Sequence, residues 1–229
     1  MTIQIRADLH VHTMHSHDSL ITPKELVYYA KKNGLDAVAI TDHNYLDGAI
    51  KIAKDVKNFL VIPGMEISSK DGHIIALNIQ EPIPRDLTAI ETVERIHTAG
   101  GIAIAAHPYV YFKGCLKNAV CNTFDAIEVI NARAFPFQSS IKKAIAAAEK
   151  FRLSQVAGTD AHYGPQIGYG YTTIDVEEPT VEAVAKAILY GHCQPHGQHV
   201  PFVLNLQQQI QRLHRMINKT TLKIKSQTG

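Results

Sequence analysis

Short, almost wholly apolar runs alternate along this chain with stretches whose apolar residues recur every three to four positions. The runs are residues 6–12, 36–41 (DAVAIT), 59–67 (FLVIPGMEI), 72–79 (GHIIALNI), 101–106 (GIAIAA), 125–131 (DAIEVIN), 154–159 (SQVAGT) and 171–176 (YTTIDV). They predict strands. Most are apolar throughout, which suits parallel strands buried on both faces. Helical patterns lie between them. Thr22 is the N-cap of the first, Pro23 sits in its first turn, Glu25 completes a capping box and Gly34 is the stop. Residues 46–57 form a second helix, and Thr88 and Glu91 cap a third. Residues 138–151 carry Ile141, Ala144, Ile145, Ala148 and Phe151 at helical spacing, and 180–190 form a fifth. Strands alternating with helices give βα units, hence a doubly wound sheet or a barrel. No internal repeat or Gly/Ser linker interrupts residues 1–199, which read as one domain.

Residues 200–229 differ. Val203, Leu206, Ile210, Leu213 and Ile217 step by three and four, so one apolar stripe runs along a helix. This segment carries Arg212, Arg215, Lys219, Lys223 and Lys225 and no acid; removing those five from 23 leaves 18 basic residues against 21 acidic ones in residues 1–199. The expectation is a C-terminal helix that docks its stripe on the domain and solvates its basic face, with weak dimerisation or nucleic-acid contact as the alternatives. The stripe covers about two heptads, short of the three or four that a coiled coil normally needs.

Bulk composition adds constraints. The chain has 229 residues, 45% hydrophobic, with a formal net charge of +2, long enough for a sizeable core and giving no case for a polyanionic partner from charge alone. Residues 1–13 lack the apolar region of a signal peptide, and no run approaches transmembrane length. Cys115, Cys121 and Cys193 form no C-x-x-C pair and read as free thiols. Together these predict a soluble, cytoplasmic protein without a membrane partner.

The polar residues within the motifs carry the chemistry. His10 and His12 are two apart on a strand and share a face. Asp42 and His43 end the second run, Glu66 lies near the end of the third, His73 starts the fourth, and His107 follows GIAIAA. Glu128 and Asn131 lie on AIEVIN, and Asp160 and His162 follow QVAGT, again two apart. In an α/β barrel the C-terminal strand ends line one open face. A lone H-x-H is a weak signal, but several separated segments here send imidazole or carboxylate toward one mouth. Left unpaired, so many polar groups would cost stability through burial and repulsion. Bound cations relieve both. Mixed His/Asp/Glu ligation suits Zn²⁺, Mn²⁺ or Fe²⁺ better than Ca²⁺, and the absence of cysteine argues against a structural zinc site.

DLHVHT with Asp18, then TDHN, PGMEIS, GHIIAL, AHP, EVIN and GTDAH resemble, in order, the motifs of the PHP (polymerase and histidinol phosphatase) superfamily, and GHCQPHG (191–197) is similar to the family's closing segment. The resemblance implies a distorted (β/α)7, TIM-like barrel with two or three divalent metal ions (Zn, Mn or Fe). It implies that His10, His12, Glu66 and Asp160 hold the first ion. Glu66, His73 and His107 would hold the second, and Asp18, His43 and His162 the third. His17 stands as the alternative to Asp18. Asp8 and Asp42 would orient metal-bound histidines from behind.

The implied activity is metal-dependent phosphoester hydrolysis by a metal-bridging hydroxide at His10, His12, Glu66 and Asp160, on a phosphorylated small molecule, a nucleotide or a nucleic-acid end. Arg133, just past a strand end, could fork onto phosphate, with Lys113 a weaker candidate. His17 could contact the substrate or protonate its leaving group. Between Ile79 and Thr88 there is only QEPIPRDL, too short for a covering subdomain, so the mouth is expected to be open. The alternatives are an amidohydrolase-type metal hydrolase and a non-catalytic, nucleic-acid-binding PHP-like module.

Overall fold

The computed structural model describes residues 2–111 and 114–227, and side chains as far as His214. Lys113 lies outside the described residues. Ile217, Arg215, Lys219, Lys223 and Lys225 lie outside the described side chains.

Seven strands come in chain order around a barrel-shaped sheet. They are β1 (Ile3–Val11), β2 (Ala37–Ile40), β3 (Leu60–Ser68), β4 (His73–Leu77), β5 (Ile102–Ala105), β6 (Ala126–Asn131) and β7 (Ser154–Gly158). Two more, β8 (Gly170–Val176) and β9 (Cys193–Gly197), extend the sheet beyond β1. β1–β2, β2–β3, β5–β6 and β6–β7 pair in parallel. The barrel nearly closes where the chain after β7 meets the end of β1. Val11 bridges Ala161, and the Asp160 amide donates to the His10 carbonyl at 2.7 Å.

Two departures from a regular βα barrel position the mouth. β4 runs antiparallel to both β3 and β5. Residues 69–72 are too short for a crossover, so they make a tight turn in which Ser69 Oγ donates to the Gly72 carbonyl. Reversing β4 brings its first residue, His73, to the rim where the parallel strands end. The second departure is a register shift between Asp8 and Val11 against β2. Ile5, Ala7 and Leu9 pack with the barrel interior, whereas Val11 packs with the outer layer. One extra residue therefore flips the alternation just before the rim and aims His10 and His12 inward.

The helices follow the capping signals. α1 (Pro23–Lys32) and α3 (Ala89–Thr98) begin at complete capping boxes, Thr22 with Glu25 and Thr88 with Glu91. α2 (Asp47–Asp55), α4 (Phe137–Phe151) and α5 (Val181–Leu189) complete the outer layer. Three apolar clusters make the core. One fills the barrel and includes Val184 and Ile188 of α5. The other two pack α3 and α4, or α1 and α2, against the outside of the sheet. The three cysteines are free. Among the described residues, no helix is long and apolar enough to cross a membrane.

α6 (Phe202–Gln227) overturns one expectation. Among the described side chains, its apolar stripe does not dock. Val203, Leu206, Ile210 and Leu213 are 55%, 50%, 47% and 57% exposed. The helix meets the barrel through a polar face instead: Gln166 Nε2 donates to Asn205 Oδ1 (3.0 Å) and to Gln208 Oε1 (3.1 Å), and Gln208 is buried. Hydrogen bonding to a buried glutamine, which would cost free energy if left unpaired, sets the helix rotation here.

Candidate metal centre

Glu66 stands at the centre of the mouth, buried near the end of β3. Its Oε1 lies 2.9 Å from His73 Nδ1 and 2.9 Å from His107 Nε2. Its Oε2 lies 3.0 Å from His43 Nδ1, 3.3 Å from His12 Nε2 and 3.5 Å from His10 Nε2. Asp160 faces it, with Oδ1 3.4 Å from His12 Nε2 and 3.7 Å from His10 Nε2. Asp18 Oδ2 lies 3.0 Å from His162 Nε2 and 3.4 Å from His43 Nε2. All nine residues singled out as candidate ligands in the sequence thus surround one opening.

Ligand-atom distances sort them into overlapping groups. His10, His12 and Asp160 form one group, and His12, Asp18, His43 and His162 form another; Glu66 joins His10 and His107 in a third and His43 and His73 in a fourth. His43 consequently stands between Glu66 and Asp18, where the sequence reading assigns it to Asp18 and His162 alone. Asp18 is half-buried within the cluster. His17 is exposed, its ring centroid 5.5 Å from that of His43.

The donor set fits divalent cations. His10 Nε2 and His12 Nε2 are 3.2 Å apart, both turned toward carboxylate oxygens. Glu66 Oε2 is buried without a hydrogen bond despite three imidazole nitrogens near it. A buried carboxylate oxygen in that state is costly unless a cation meets it. Nitrogen and carboxylate donors without thiolate are a first-row transition-metal set.

Electrostatics are shaped by the same contacts. Burial works against ionising Glu66, but the imidazoles of His10 and His73 hold its carboxyl well below the usual range. Asp160 is likewise held well below against burial, first by His10. Burial also opposes charge on His43, yet the neighbouring carboxylates of Asp18 and Glu66 push it up to about 10. His162 goes the other way, down to about 4, through burial and the neighbouring His12.

Backbone geometry supports the arrangement. His107 (φ 28°) and Asp160 (φ 61°) are non-glycine residues in the left-handed half of backbone space. Such conformations persist where surrounding bonds over-determine them. The His107 amide donates to Glu128 Oε2 at 2.7 Å, and the Asp160 amide is tied to β1.

The supporting residues differ from those expected. Asp8 touches no imidazole. The bulge after it turns it away, and its carboxylate accepts from the amides of His10 (3.3 Å), Thr159 (2.8 Å) and Gly168 (2.9 Å). Burial pushes its carboxyl up to about 6. Asp42 accepts from the Thr13 amide and hydroxyl and fixes the loop after β1. The carboxylate behind His10 is Glu128, whose Oε1 lies 3.1 Å from Nδ1. A carboxylate inside an otherwise apolar strand was the available signal, since such groups are rarely buried unless paired. Ser16, which bonds Asp18 Oδ1 at 2.9 Å, carried no such signal.

Arg133 lines the opening. Its Nη1 donates to the Asp160 carbonyl at 3.0 Å and to His162 Nδ1.

The chain belongs to the PHP domain family: the PHP domain model matches residues 8–125, and the PHP-associated model matches residues 139–193. A Methanocaldococcus jannaschii protein is 39% identical over 141 residues, covering 56% of this chain and 82% of its own length. The 5'-3' exoribonuclease Rnm of Salmonella typhimurium is 30% identical over 170 residues, covering 69% of this chain and 57% of that relative. A two-domain Bacteroides vulgatus protein containing a predicted PHP-like metal-dependent phosphoesterase superposes with a TM-score of 0.70 at 18% identity, over 86% of this chain and 66% of that one.

Proposed function

We propose that the chain hydrolyses a terminal phosphoester, on a small phosphomonoester, a nucleotide or the phosphorylated end of a nucleic acid, with two or three Zn²⁺, Mn²⁺ or Fe²⁺ ions as cofactors. The observation that carries this reading is Glu66, buried and ringed by imidazoles at one opening, with an arginine at the edge of that opening. His10, His12, Glu66 and Asp160 would hold the first ion, Glu66, His73 and His107 the second, and Asp18, His43 and His162 the third. When bound, such ions supply Lewis acidity, lowering the pKa of water and drawing charge from phosphoryl oxygens.

The chain's own groups do the rest. Arg133 bonds the Asp160 carbonyl and His162 through Nη1, which leaves Nε and Nη2 to fork onto a phosphate. Glu128 holds the His10 imidazole, and its other oxygen holds the His107 amide, so one carboxylate positions one ring and the backbone of another candidate ligand. His17, exposed beside His43, is the group positioned to give a proton to a leaving alkoxide. The cavity, about 230 Å³, is small for a whole nucleotide chain. It takes a phosphate and its neighbouring group, and the rest of a larger substrate stays outside, which favours attack at an end. The exoribonuclease relative adds support for the nucleic-acid form.

The test is turnover of phosphomonoesters, nucleotides and 5'-phosphorylated single-stranded oligonucleotides by protein loaded with Mn²⁺, Zn²⁺ or Fe²⁺. Release of phosphate or mononucleotides is expected. Metal-loaded protein that cleaves none of these overturns the reading and favours amidohydrolase-type chemistry. Protein that binds no metal favours the non-catalytic module.

A further inference from the structure

We infer that α6 is a dimerisation helix, its exposed stripe pairing in parallel with the same stripe of a second copy of this chain. This goes beyond the proposed activity and does not depend on it.

The stripe is longer than its first two heptads. α6 continues to Gln227, a span of 26 residues and, at 1.5 Å per residue, about 39 Å. Along it the three-four spacing runs on through Thr220 and Ile224, to more than three heptads. With Val203 as position a, the a positions are Val203, Ile210, Ile217 and Ile224, all β-branched, and the d positions are Leu206, Leu213 and Thr220. β-Branched residues at a with leucine at d favour two parallel strands.

Charge placement selects the partner. The flanking e and g positions are Gln207, Gln209, His214, Met216, Thr221 and Lys223. Arg212, Arg215, Lys219 and Lys225 fall at b, c and f. Four of the five basic residues therefore lie off the seam, with Lys223 alone beside it, and little like charge crosses it when two copies meet. A polyanion would need charge on the open stripe, where the residues are aliphatic.

The barrel leaves the described part of this stripe, Val203 to Leu213, open to solvent. Asn205 (c) and Gln208 (f) make the helix's bonds to Gln166, on the side away from a and d. Barrel and partner helix thus occupy opposite sides. Four aliphatic side chains half open to water gain burial from such a partner.

Sedimentation equilibrium of the full chain tests this. The expected mass is twice the 25.3 kDa of one chain. Ile210→Asp combined with Leu213→Asp changes two solvent-facing positions and is expected to keep the circular dichroism and melting of the barrel. Association should weaken by about a hundredfold or more, tenfold or more per seam position. In a parallel pair the two Leu213 residues face each other, so Leu213→Cys should give an interchain disulfide under mild oxidation well beyond that of the parent chain or of Arg212→Cys. A monomeric parent overturns the inference. So does a dimer that survives the double substitution, or Leu213→Cys that cross-links no better than Arg212→Cys.

Discussion

Glu128 Oε1 sits 3.1 Å from His10 Nδ1, and both side chains are buried. The other oxygen of Glu128 takes the His107 amide and Asn131 Nδ2. One carboxylate thus sets the ring orientation of one candidate ligand and the backbone of another. Carboxylates behind metal-bound histidines typically contribute ten- to a hundredfold to affinity. Glu128→Gln is expected to weaken metal binding by about that factor, measured by competition with a chelator, while the circular dichroism spectrum stays unchanged. Undiminished affinity would contradict the bracing role.

Gly158 is what lets His10 reach this position. A Cβ there would lie 2.5 Å from His10 Cβ and 2.9 Å from Glu128 Oε1. Gly158→Ala is expected to cost about 1–3 kcal/mol, the usual range for overpacking, and to lower metal occupancy. Denaturant unfolding and metal analysis of the same preparation read the two effects. A variant with parental stability and full metal content sinks the idea.

Asp18 and His17 separate by function. Asp18→Ala is expected to lose one bound ion per chain, because Asp18 reaches both His43 and His162. His17→Ala should keep the parental stoichiometry and slow turnover only. If the two variants exchange these outcomes, the assignment is reversed.

The metal-free protein should be sensitive to alkali. The pKa of His43, raised from 6.5 to about 10 by Asp18 and Glu66 against the opposing effect of burial, makes the protonated form the stabilised one in the fold. That stability is fully present below pH 6.5 and is lost as pH rises through about 10. Melting temperature in the presence of a chelator is therefore expected to fall across this window, and less steeply in His43→Asn. Metal loading at pH 7 should release protons, seen as a buffer-dependent heat in calorimetry. A melting temperature that rises with pH across the window would refute the account.

Arg133 is the phosphate anchor of the proposed reaction. Arg133→Ala is expected to lower kcat/KM by about ten- to a hundredfold, the value of one charge-assisted contact, mainly through KM. Arg133→Lys should recover only part, since an ammonium cannot fork. Steady-state kinetics on a phosphomonoester decides. An unchanged KM in Arg133→Ala removes the residue from the site.

The local elements and the residues that gather at the mouth were legible in the sequence. Thr22 with Glu25 and Thr88 with Glu91 cap helices through bonds spanning three residues, and the pair His10/His12 shares a face by strand periodicity. The caps and the shared face of His10 and His12 are short-range effects that spacing carries. Tertiary structure decided the rest, including the placement of Asp160 and His162, which follow β7 and are held by the bond from the Asp160 amide to the His10 carbonyl. The bulge between Asp8 and Val11 turns Asp8 away from the imidazoles, and the reversal of β4 brings His73 to the rim. Glu128 braces His10 from 118 residues away. Asp18, and not His17, lies inside the cluster because His43 and His162 come together there. α6 turns its stripe outward because burying Gln208 against Gln166 satisfies polar groups that the stripe could not. Each of these depends on which strands and loops meet, and contacts between distant segments leave no periodic trace along the chain.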